Sequence, residues 1–216
     1  MGKGKFPMRL TALCLIIPLT LAASMPPRQA SAAAMLGDAA VSYSAERTVV
    51  VNGRSYTGMV FHIPGHDRHE QEILGIPEVI LLDAMAKQGT LVLPGLNSYL
   101  VFAFPRLMGE LDDPSWRGAP QGQEVVNGVR TTKYRVDHVA ADGSRAQGMI
   151  WLSAQGIAMR LEGTVTRVGA STGTSIRMEL AGLKLGRQDP HLFELPPGLI
   201  KLPSDALEAF LSGRSG

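Results

Sequence analysis

The sequence predicts a mainly β protein built on an antiparallel sheet. Apolar and polar residues alternate with a period of two in segment after segment from residue 43 onward. Asn52-Gly53, Asn127-Gly128 and Asp142-Gly143 sit between such segments, and Asn-Gly and Asp-Gly are the strongest short-range hairpin signals. Helix signals are few.

The first hairpin pairs residues 44–51 with 54–62 across Asn52-Gly53. A second joins 124–126 to 129–138. In its longer strand Thr132, Tyr134, Val136 and His138 share one face, while Thr131, Lys133, Arg135 and Asp137 form a wet one. Residues 144–152 follow the Asp142-Gly143 turn. Ile157, Met159 and Leu161 then oppose Ala158, Arg160 and Glu162, and Ile176, Met178 and Leu180 oppose Arg177 and Glu179. One dry face and one wet face is the mark of an antiparallel sheet. Two strands are apolar on both faces: 98–104, and 148–152 with Met149 and Trp151 against Ile150 and Leu152. Such strands belong in the middle of a sheet or beneath a cover.

Residues 105–111 are long enough for one or two helical turns. Residues 204–212 suit a helix better, with Ser204 as cap and Leu207, Phe210 and Leu211 on one side. Residues 76–89 read two ways. Pro77 near the start and Gly89 past the end suit a helix, whereas the run Val79-Ile80-Leu81-Leu82 suits a buried strand. A sheet of about nine to eleven strands presents a large apolar face and tends to curl. With so little helix to cover it, the sheet either packs on itself or stays an open, curved half-barrel with a small lid and an apolar cavity.

The chain opens with an export signal. Lys3, Lys5 and Arg9 precede an apolar run over 10–23, and Ala30-Ser31-Ala32 offers a cleavage site. The run is shorter than the roughly 20 residues that span a bilayer. The single cysteine, Cys14, lies inside this signal and follows Leu13, so lipidation is not expected, and the mature chain has no disulfide or thiolate site. Four basic residues and no acidic one leave with the signal, so 17 basic face 19 acidic residues afterwards. Without a Lys/Arg cluster, nucleic-acid binding is not expected. Hydrophobic residues make up 45% of the chain, enough to build a core without cross-links. The expected organisation is a signal peptide over 1–32, a lead-in over 33–42, one domain over 43–203 and a short helix or tail over 204–216.

The order of segments resembles the periplasmic lipoprotein-carrier superfamily, the LolA/LppX-like fold, and within it a branch similar to outer-membrane lipoprotein-sorting proteins. Carrying the resemblance are Tyr43-Ser44-Ala45-Glu46, Gly58-Met59-Val60-Phe61 running to Pro64, and Arg68-His69-Glu70. The run Val79 to Asp83 with Leu91-Val92-Leu93-Pro94 and Ser98-Tyr99 continues it. Then follow residues 125–134, Trp151-Leu152-Ser153, and Phe193-Glu194-Leu195-Pro196-Pro197-Gly198. The resemblance implies a curved antiparallel half-barrel of about 9–11 strands with a few short lid helices, and it implies that residues 79–83 form a strand. It also implies a cavity that shelters lipid or acyl chains. The long helix that precedes the first strand in LolA-type carriers has no counterpart in residues 33–42, and Ile63 stands where those carriers place a latching arginine. The fold and cavity therefore carry over, but not the lipoprotein partner.

Tyr99, Val101, Phe102, Tyr134, Met149, Trp151, Met159 and Met178 are the expected cavity residues, aromatic anchors and adaptable thioethers that equally serve as core. His62, His66 and His69, with Asp67, Glu70 and Glu72 nearby, are weak zinc candidates. No P-loop, metalloprotease helix or dinucleotide fingerprint is present. The expected function is that of a non-catalytic periplasmic carrier or binding protein for a hydrophobic small molecule or lipid. No cofactor is expected, and membrane contact is transient at most. Alternatives are an envelope interaction protein with a closed core and, last, an enzyme using the cavity.

Overall fold

The computed structural model describes residues 39–73, 75–103, 117–139 and 143–203. The signal, most of the lead-in and both expected helices, over 105–111 and 204–212, lie outside these residues. The described residues form one open, curved sheet of twelve strands that does not close into a barrel.

In chain order the strands are β1 (Tyr43–Val51), β2 (Arg54–Ile63), β3 (His66–Ile73), β4 (Ile76–Asp83), β5 (Gln88–Leu93), β6 (Ser98–Ala103), β7 (Arg117–Val126), β8 (Val129–Val139), β9 (Arg145–Ser153), β10 (Ala158–Thr166), β11 (Thr174–Leu185) and β12 (Ile200–Lys201). Across the sheet they lie in the order β12-β6-β5-β4-β3-β2-β1-β11-β10-β9-β8-β7. The sheet is thus two meanders, β1 to β6 and β7 to β11, zipped together where β1 pairs antiparallel with β11. Only β12 is parallel to its neighbour, β6. Among the described residues, helix is limited to two 3-10 turns, Pro94–Leu96 and Pro190–Phe193.

Both Asn-Gly hairpin signals act as expected. Asn52 and Gly53 have φ of 48° and 82°, and Asn127 and Gly128 have 46° and 81°. Two successive left-handed residues define the turn whose twist matches that of paired strands. Both asparagines also use their side chains: Asn52 Oδ1 accepts from Ser175 N, and Asn127 Nδ2 donates to Leu180 O. Residues 76–89 are two strands and a turn, so the strand reading holds and the helix reading does not. Tertiary pairing with β3 and β5 decides a local pattern that fits both.

Of the two placements expected for doubly apolar strands, the central one does not apply to β6, which lies next to the edge strand. One expectation is corrected. On β8, Thr131 is buried although it falls on the wet face, because its hydroxyl donates to Glu124 O on the adjoining strand.

Candidate functional site

Pairing registers define a dry face that runs the width of the sheet. Tyr43, Ala45, Val49 and Val51 of β1 share it with His62 and Val60, which stand opposite Tyr43 and Ala45 on β2. On the other flank, Ile176, Met178 and Leu180 of β11 stand opposite Val51, Val49 and Arg47. The stripe continues through Leu161 and Ile150 to Tyr134. These residues form the larger apolar cluster. A smaller one, Ile80, Leu82, Leu91, Leu93 and Leu100, occupies β4 to β6, with the Phe102 ring packed over Gly89.

Between the two clusters lies a buried polar island on β1 to β4. Arg47, His62, Asp67, His69, Gln71 and Glu78 are all buried, Arg47 at 1% exposure and His69 at 0%. Strand geometry places them together, because Arg47 stands opposite Gly58, Gly58 opposite Gln71, and Gln71 opposite Glu78. The Arg47 side chain reaches beyond β2 to bond with two residues of β3. Gly58 is the residue it passes. A Cβ there would collide with the Glu70 carbonyl oxygen, so only glycine fits the close approach of β2 and β3.

The hydrogen bonds fix proton positions. Arg47 can only donate, so His69 Nδ1, 2.8 Å from Nη1, accepts and carries no proton. The same logic orients Gln71: its Oε1 accepts from Arg47 Nη2 at 2.9 Å, and its Nε2 donates to Glu78 Oε2 at 3.3 Å. Burial, then the charges of Arg47 and His62, hold the His69 imidazole well below its ordinary pKa, so it is neutral. Burial lowers the Arg47 guanidinium to about 9, opposed by Asp67, and it remains a cation at neutral pH. His62 lies 2.8 Å from Ala39 O through Nε2 and 2.8 Å from Asp67 Oδ1 through Nδ1. The carbonyl only accepts, so Nε2 donates, and a second proton sits between Nδ1 and the carboxylate. The Tyr43 ring stacks on His62 at 4.9 Å.

The eight expected cavity residues do not share one face. Phe102, Tyr134 and Met178 lie on the dry face. Met159 is fully buried at a bulge opposite Trp151. Tyr99, Val101, Met149 and Trp151 lie on the other face. There Trp151 is covered by Lys133 at 4.7 Å and Arg160 at 5.3 Å from the ring centroid, and its Nε1 donates to Glu124 Oε2. Those bonds from Lys133 and Trp151 hold the Glu124 carboxyl below its usual range. Trp151 is therefore the centre of a polar ladder on the side away from the dry face. The three histidines do not converge either. His66 stands on the opposite face from His62 and His69, beside Phe193, because an odd separation along a strand reverses direction. Among the described residues, no group of three or more His, Cys, Asp or Glu could hold a metal ion.

Neither a protein-family model nor a curated protein matches this chain. Solved structures do match it. MucB in the MucA/MucB complex of Pseudomonas aeruginosa aligns with a TM-score of 0.50 at 15% identity, over 74% of this chain and 57% of that one. An uncharacterized conserved protein from Thermus thermophilus aligns at 0.50 and 12% identity, over 76% and 91%. MucB in complex with the MucA periplasmic part aligns at 0.48 and 16%, over 77% and 58%. The chain spans about three fifths of the length of these MucB chains. At such identities the likeness is one of fold: an open, curved sheet of the kind the sequence resemblance implies.

Proposed function

We propose that the protein is an exported, non-catalytic binding protein that shelters an apolar ligand, a lipid or acyl chain, against the concave face of its sheet. The observation that supports this most is the extent of that dry face. It runs from β6 to β8, and among the described residues only two 3-10 turns are available as helical cover. The signal read at residues 1–32 supplies the destination, the periplasm, where a carrier of greasy molecules is useful because water separates two membranes. Phe102, Tyr134, Met159 and Met178 remain the lining residues of this reading.

Its test is extraction of the mature protein, purified from cells, with organic solvent. Mass spectrometry is expected to find a lipid, and the stripped protein is expected to bind fluorescent fatty-acid analogues. An empty extract with no probe binding sinks the reading.

A second reading, an envelope protein that binds another protein, draws on the two ends of the open sheet, where β7 lies at one edge and the two-residue β12 covers only the start of β6. It also draws on MucB, which has been solved with MucA bound. A stable complex in pull-downs together with an empty solvent extract would favour it.

A further inference from the structure

We propose that His62 holds the carbonyl of an ester at the head of the bound acyl chain, and that the ligand takes the place now filled by the protein's own lead-in. The proposal rests on the reading that an apolar ligand lies on the dry face. It starts from a contact the protein makes with itself. Ser42 O accepts from Gly186 N at 3.0 Å, still in line with the pairing of β1 and β11. Three residues earlier the chain has turned onto the dry face, where Ala39 O accepts from His62 Nε2 at 2.8 Å. Ala39 is 6% exposed and belongs to the larger apolar cluster with Tyr43, Ala45 and Val60, and Val41 packs against the same cluster. His62 is itself buried, and Asp67 Oδ1 holds its Nδ1 at 2.8 Å.

An apolar face gains no packing from a buried ion pair. What this pair does is aim one N–H at a carbonyl among hydrocarbon side chains. The room beside that N–H is the room Ala39 and Val41 occupy. With the signal removed, this segment is the start of the mature chain, and chain ends are the parts of a fold that open most readily. A ligand that displaces them must replace the bond, because a buried donor left unpaired is costly. The surroundings decide what can replace it. A carboxylate would bring a second anion to an imidazole that already faces Asp67. A hydroxyl or a secondary amide also accepts, but its own hydrogen then needs an acceptor among Ala45 and Val60. An ester carbonyl accepts and brings neither a charge nor a hydrogen. The Ala39 carbonyl stands where that of the ester would be, and the ligand class is a neutral acyl ester.

The test uses the delipidated mature protein and two fluorescent probes with the same polyene chain, one ending in a methyl ester and the other in a methyl ether. The ester is expected to bind about tenfold more tightly, or better. In the double variant His62→Leu with Asp67→Leu that preference is expected to fall below about twofold, because the donor is gone. A mature chain shortened to begin at Ser42 is expected to bind the ester about fivefold more tightly than the parent, since nothing has to be displaced. In the full mature chain, NMR contacts between Ala39 and the His62 ring are expected to vanish as the ester probe saturates. Equal binding of ester and ether by the parent overturns the proposal, and so do Ala39–His62 contacts that persist at saturation. These two measurements decide alone if either altered chain does not fold. Probe binding without ester preference removes this proposal and leaves the binding reading standing. An empty extract with no probe binding removes both.

Discussion

At the scale of the residue, the polar island is the least expected feature, yet part of it was legible. Arg47 falls on the same parity as Tyr43, Ala45, Val49 and Val51, so alternation alone marks it as a cation on a dry stripe. Asp67, His69 and Gln71 were hidden because β3 is polar on both faces until Ile73, and a strand without apolar residues gives no dry side to read. The island is open to test by stability. His62→Leu leaves the Asp67 charge buried without its proton-bearing partner, which costs about 3–5 kcal/mol, whereas the double change His62→Leu with Asp67→Leu should recover much of it. Urea unfolding of the three proteins measures this. A second expectation concerns pH. His69 is neutral in the fold but titrates at its ordinary value when unfolded. Below pH about 6.5 the unfolded chain therefore binds more protons, and stability falls with acidification by up to about 1.4 kcal/mol per pH unit for this group. His69→Gln should flatten that limb of the stability curve.

At the scale of the element, turns were read best, because Asn-Gly encodes its own backbone geometry. Strand faces were read well where apolar residues alternate and badly where both faces are apolar. On β9 the sequence does not say which of Trp151 and Ile150 meets the core. The answer comes from β8 and β10, which bring Lys133 and Arg160 over the indole. Strand β12 is too short to leave a periodic signal at all. Close strand approaches are made by glycine. A Cβ at Gly58 would run into Glu70 O, and one at Gly148 would run into Glu162 O. Both obstacles are backbone, which cannot rotate aside. Gly58→Ala should cost about 1–3 kcal/mol or more, the usual cost of overpacking. It should also disturb Arg47, so a crystal structure or amide exchange in β2 and β3 would show the change locally. Trp151→Phe keeps the ring beneath its two cations but loses the bond to Glu124, and about 1 kcal/mol of stability should go with it, again by urea unfolding.

At the scale of the whole molecule, the proposed binding role starts from how little helical cover the described residues give the sheet. A twelve-stranded antiparallel sheet with one apolar side must close, fold over or be filled. This one stays open, and its dry side is divided by a polar island that an apolar core alone would not need. The approximate number of strands and the antiparallel order of each meander were legible from turns and periodicity. The zipping of β1 to β11 was not, because pairing between residues more than a hundred positions apart leaves no local mark. The most direct test is native mass spectrometry of the mature protein purified without detergent or solvent. We predict a species heavier than the polypeptide by one lipid-sized mass, lost after solvent extraction and regained on incubation with the extract. A single species at the mass of the bare polypeptide, unchanged by extraction and by added lipid, would contradict it.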